Sequence, residues 1–167
     1  MILIFVSFRI ANLVHSVAEN ELGLSHSPLL NFTYIESDNG NLTLTLKVKE
    51  YFYNNSDLNV AFWTRLYNPT KQSGENLELG PLIYAKRGDL LTVNLENHLG
   101  VDSGSYTELN TFHNVNHTNL HTHGLHVQSN LPQDDIFIDI KPGENFSYVY
   151  QLPPHHSGGT FWYHAHR

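Results

Sequence analysis

Residues 41–49 alternate strictly: Leu42, Leu44, Leu46 and Val48 fall on one side, Thr43, Thr45, Lys47 and Lys49 on the other. Successive side chains of a strand point to opposite faces, so this period of two predicts a strand with one face buried. The pattern returns over 145–152, where Phe146, Tyr148, Tyr150 and Leu152 alternate with Ser147, Val149 and Gln151. Val60 to Tyr67 is an aromatic-rich run stopped by Asn68-Pro69, and Leu82 to Ala85 and Leu90 to Leu95 are parted by the turn Arg87-Gly88-Asp89. Further strand-like runs cover Leu120 to Gln128, Asp135 to Ile140 and Thr160 to His166, with a turn at Pro142-Gly143. Thr70 to Leu77, Asn97 to Asn110 and Pro153 to Gly159 read as loops. No segment has a helical period. Short strands punctuated by Gly, Pro and Asn predict an all-β sandwich, and the pattern alone admits an immunoglobulin-like one.

Composition narrows the picture. With 167 residues there is room for one domain. A net charge of −7 argues against nucleic acid as a partner. The chain has no cysteine, which excludes disulfides and thiolate metal ligands. Ile2 to Phe8 is apolar and Ser16-Val17-Ala18 has the small-X-small form of a cleavage site, so residues 1–18 are expected to be a secretory leader. Arg9 interrupts the run and no basic residue precedes it; the alternative is a short buried strand. The run is too short to span a bilayer. Residues 19–40 form a lead-in, and the domain is expected over 41–167. Glycosylation sequons at Asn31, Asn41, Asn54, Asn116 and Asn145 favour a secreted glycoprotein, with Asn116 and Asn145 the doubtful acceptors because they lie near histidine-bearing or strand segments.

The chemistry concentrates in two pairs, His121-Thr122-His123 and His164-Ala165-His166, each preceded by an apolar run. Residues two apart on a strand share a face, about 6.5–7 Å apart. That spacing suits two imidazoles on neighbouring ions better than two on one ion. Imidazole alone does not choose among copper, zinc, iron and nickel, and zinc is the natural competitor.

Asn119 to Leu125 resembles the first copper motif of the multicopper oxidases, the laccase and ferroxidase superfamily. Gly159 to His166 resembles the second, and the similar stretch runs from about Tyr67 to Arg167. The resemblance implies a Greek-key, cupredoxin-like (plastocyanin-like) sandwich that is the amino-terminal domain of a longer oxidase. A further strand usually follows the second motif, so the chain is expected to be truncated and to lack its last strand. The resemblance also implies half a trinuclear copper cluster. His121 would be the type 2 ligand, His123 and His164 would share one type 3 copper, and His166 would bind the other. The remaining ligands would come from a carboxy-terminal cupredoxin domain or a neighbouring subunit. The cluster reduces dioxygen with electrons from a reducing substrate, delivered through a type 1 copper that needs a cysteine this chain lacks. Asp134, or Asp135 in an alternative register, would hydrogen-bond cluster waters and help deliver protons. The chain alone is expected to be inactive; the alternatives are an isolated copper-binding module or a non-catalytic fragment. His126 is expected to be a packing or surface residue. His98, His113, His117, His155 and His156 are expected at the surface. Phe161 and Tyr163 should pack away from the histidines.

Overall fold

The computed structural model describes residues 2–6, 34–56, 59–69, 80–102 and 113–167. Among them are nine strands: β1 Ile2–Val6, β2 Tyr34–Glu36, β3 Asn41–Asn55, β4 Val60–Pro69, β5 Leu82–Ala85, β6 Leu90–Asn97, β7 His121–His123, β8 Asn145–Gln151 and β9 Gly159–His164. They form two sheets, ordered β2-β5-β1-β9-β7 and β4-β3-β6-β8. No helix occurs among the described residues.

The alternating runs face the core as expected. Leu42, Leu44, Leu46 and Val48 of β3 are buried, as are Leu91, Val93 and Leu95 of β6 and Tyr148 and Tyr150 of β8. From the other sheet, Ile83, Ala85 and Tyr163 join the same cluster. Tyr67 of β4 meets Tyr163 of β9 across the core at 5.9 Å between ring centroids. Burying such side chains removes apolar surface from water at roughly 25 cal/mol per Å². The β3–β4 hairpin extends to the pair Asn55↔Val60. There Phe52 and Trp63, 47% and 69% exposed, pack against each other at a tilt outside the core.

Two segments differ from the sequence pattern, and a third, Ile2–Val6, takes the strand its sequence offered as the alternative to a leader. Asp135 to Ile140 is not a strand; its one ladder contact is the bridge Thr118↔Ile140. The carbonyls of Ile136 and Ile138 instead accept hydrogen bonds from the Asn119 side chain. The run 120–128 is strand only over His121–His123, because Gly124 takes φ +87° and turns the chain. Ile2–Val6 is a strand between β5 and β9, antiparallel to the first and parallel to the second. The rest of the expected leader, the lead-in through residue 33, the sequon at Asn31 and the loop 70–77 lie outside the described residues.

Leu46 is fully buried, whereas Phe137 is 82% exposed. Leu46→Ala should therefore cost about 2–5 kcal/mol of unfolding free energy and Phe137→Ala at most about 0.5 kcal/mol, read by urea denaturation. Equal losses would place the core elsewhere.

Candidate metal centre

β7 and β9 pair antiparallel with His121 opposite His164 and His123 opposite Trp162. Strand alternation turns His121 and His123 outward and buries Thr122 between them. On β9 it buries Tyr163 and puts Trp162 and His164 on the outer face. His166 follows just beyond the strand. The two pairs thus meet on one face of one sheet. Ring centroids lie 5.5 Å apart for His121–His123, 5.2 Å for His121–His164, 5.5 Å for His121–His166 and 5.7 Å for His123–His164.

The rings of a pair lean together more than the backbone repeat suggests. One nitrogen each of His121, His123 and His164 lies within 4.8 Å of the others. Three imidazoles therefore converge closely enough for a single ion, which the strand spacing alone argued against. His123 Nδ1 and His164 Nε2 are 3.4 Å apart. An ion 2.0–2.1 Å from two imidazole nitrogens separates them by about 3.3 Å at the tetrahedral angle. His164 Nδ1 lies 2.7 Å from the Ala165 carbonyl, which only accepts, so Nδ1 carries the proton and Nε2 keeps its lone pair toward His123. Trp162 stacks at 4.5 Å on His123 and at 4.2 Å on His164, bracing both rings.

Asp134 and Asp135 have different environments. Asp134 is buried; its Oδ1 accepts the Thr122 amide at 2.8 Å and its Oδ2 stands 2.8 Å from His121 Nδ1. That oxygen is at ion-pair distance but off the N–H axis, so His121 Nδ1 is a buried ring nitrogen without an aligned hydrogen bond. A histidine held by a carboxylate on one ring nitrogen is the usual arrangement of a metal ligand. Asp135 instead accepts the Phe137 amide in an exposed turn.

Three further residues hold the site that the pattern did not single out. Asn119 is fully buried. Its Nδ2 donates to the Ile136 and Ile138 carbonyls, and its Oδ1 accepts the His166 amide at 2.7 Å. It replaces the ladder bond that β9 loses where it leaves β7. Tyr67 and Tyr148 reach across the core: Tyr67 donates to the Asn119 carbonyl at 2.8 Å, and the Leu120 amide donates to the Tyr148 hydroxyl at 2.9 Å. A buried Asn just ahead of a His pair is the one sequence signal for the first; nothing local marks the tyrosines.

Of the other histidines, His98 pairs with Glu96 at the surface. His117 is not a free surface residue: Asp139 stands 2.7 Å from Nδ1 and Asp102 3.3 Å from Nε2. His156 is 1% exposed, against the expectation of a surface position, because the turn after Pro153 sets its ring against the His126 amide and Phe161. Phe161 and Tyr163 pack inward as expected.

Residues 72–167 match the family described as multicopper oxidase. The chain is similar to laccase-4 of Thanatephorus cucumeris, 36% identical over 89 residues, which covers 52% of this chain and 15% of that protein. It is similar to laccase-14 of Arabidopsis thaliana, 34% identical over 143 residues, covering 83% of this chain and 20% of the relative. A solved multicopper oxidase from Campylobacter jejuni, described as a metallo-oxidase, aligns with a TM-score of 0.54 at 23% identity. That alignment covers 82% of this chain and 25% of the other. The chain thus spans a quarter or less of the length of these proteins, and the shared architecture is a cupredoxin-like all-β fold.

Burial, and then the neighbouring imidazoles of His121, His123 and His166, hold His164 below the ordinary imidazole value. The unfolded chain therefore binds more protons at this residue. The stability it contributes is complete above about pH 6.5, the unfolded value, and is lost as pH falls through the lower folded value. Without metal, wild type should lose stability relative to His164→Gln on acidification across that range, as measured by denaturant unfolding. Parallel curves would refute the assignment.

Proposed function

The chain belongs to the multicopper oxidase family, and on that premise we propose that it is the amino-terminal, copper-binding domain of a secreted laccase-like oxidase. His121, His123, His164 and His166 would supply half the ligands of a trinuclear cluster, His121 to the type 2 copper and the others to the type 3 pair. The observation that carries this reading is the gathering of four imidazoles on one face, three on the paired strands β7 and β9 and His166 just beyond β9. When bound, the copper supplies the four-electron reduction of dioxygen to water. The reducing substrate and the type 1 site belong to other parts of the full-length oxidase, as does the second half of the ligand set, from a carboxy-terminal cupredoxin domain or a neighbouring subunit.

This chain's own residues do three things in that reading. Each histidine offers an imidazole lone pair on one face. Trp162 braces the rings of His123 and His164 by stacking on both. Asp134 orients His121: with Oδ1 held by the Thr122 amide and Oδ2 standing 2.8 Å from His121 Nδ1, its role is to bias that ring so that Nε2 is left for metal. A second reading, an isolated module that captures one ion, draws support from the close trio His121, His123 and His164.

Copper titration of the chain followed by mass spectrometry tests both readings. The cluster reading expects weak, incomplete copper loading, no intense blue absorption and no oxygen uptake, since no cysteine is present. Tight binding of a single ion would favour the capture module. In the full-length oxidase, His121→Ala should remove type 2 copper preferentially. Asp134→Asn should lower copper affinity about 10–100-fold. Normal copper content with slowed oxygen uptake would instead make Asp134 a proton-delivery group.

Secretion would expose the sequons to glycosylation. Asn54 and Asn145 are exposed, whereas the Asn116 side chain is buried, donating to the Gly100 carbonyl and accepting from Arg65. Glycopeptide mapping of secreted protein should find glycan at Asn54 or Asn145 and none at Asn116. Occupancy at Asn116 would contradict the buried side chain.

A further inference from the structure

We propose that His156 is a positioning residue for the imidazole cluster, fixing the chain just beyond His123; the copper part of this inference rests on the function proposed above. β7 is three residues long and, among the described residues, lies at the edge of its sheet with β9 as its one neighbour. Such a strand can pivot on its partner unless both ends are fastened. Asn119 fastens one end, where β7 begins and His166 leaves β9. His156 fastens the other, where β7 ends and the chain enters β9.

The chemistry of that second clamp is specific. The His126 amide donates to His156 Nε2 at 2.9 Å, and His156 Nδ1 lies 2.7 Å from the Ser157 carbonyl. An amide only donates and a carbonyl only accepts, so the ring must be neutral with its proton on Nδ1. The ring also packs edge-on against Phe161 at 5.2 Å and lies 4.9 Å from the His126 ring. Phe161 completes the clamp from β9: its Cδ1 lies 3.1 Å from where a Cβ on Gly124 would stand, and Gly124 has φ +87°. The turn that follows His123 thus sits on Phe161 and is bonded to His156. The loop ahead of the second histidine pair thereby sets where the first pair ends.

The test uses this chain with His156→Leu and His156→Gln, the latter able to accept the His126 amide through Oε1. In metal-free wild type, long-range nitrogen–proton NMR should show His156 protonated on Nδ1 and a slowly exchanging His126 amide. His156→Leu should lose that protection and shift the His123 ring signals while those of His166 stay, and His156→Gln should restore both. Copper affinity should fall about 10-fold in the Leu variant and recover in the Gln variant. A purely structural histidine would lower the melting temperature without moving the His123 signals or the affinity of the folded protein, and that result overturns the proposal. So does a wild-type His156 protonated on Nε2, which needs no variant to fold. If wild type binds no copper but His123 still moves in the Leu variant, the positioning role stands and the metal reading falls.

Discussion

Everything at the histidine face depends on how the two residues ahead of His121 are held. Asn119 and Leu120 are buried but precede the strand, so their backbone groups have no ladder. Leaving a buried amide or carbonyl unpaired costs about 1–3 kcal/mol. Both are satisfied by tyrosine hydroxyls from the opposite sheet, Tyr67 on β4 and Tyr148 on β8. Those phenols are themselves buried, and desolvation pushes both above their ordinary ionisation range, which favours their neutral, hydrogen-bonding form. The core therefore fixes the position of its surface chemistry through two hydroxyls that cross it.

Much of this was legible in the sequence where local physics decides the outcome. The alternation over 41–49 and 145–152 named the core faces of β3 and β8. The one-residue spacing of the histidine pairs put each pair on one side of a strand. Less legible was anything set by partners distant in the chain. Asp135 to Ile140 alternates like a strand, yet a single asparagine takes the carbonyls a neighbouring strand would have used. Asp134 and Asp135 are indistinguishable in a run of acids. They part only because one carboxylate reaches the Thr122 amide and the other caps a turn. His156 reads as one of several loop histidines until the chain folds it beneath its neighbour.

Buried asparagines recur as the joints of this molecule. Asn97 donates to the Asn116 and Ile140 carbonyls and accepts from Leu99, and Asn119 does the equivalent for Ile136, Ile138 and His166. An amide side chain offers two donors and an acceptor in one plane, which lets it stitch irregular backbone to strand ends. Aspartate would bring a charge into the same space and leucine would leave three backbone groups unpaired. These amides thus tie the irregular backbone beside the histidines to the strand ends.

The stacking of Trp162 against both His123 and His164 has an optical consequence. Of the two tryptophans in the chain, Trp63 sits on the exposed hairpin, while Trp162 lies against the two rings. Its emission senses whatever changes the electronic state of those imidazoles, and a paramagnetic ion held there would quench it. Replacing Trp63 with phenylalanine would leave one indole in the molecule, an intrinsic fluorophore built into the histidine cluster.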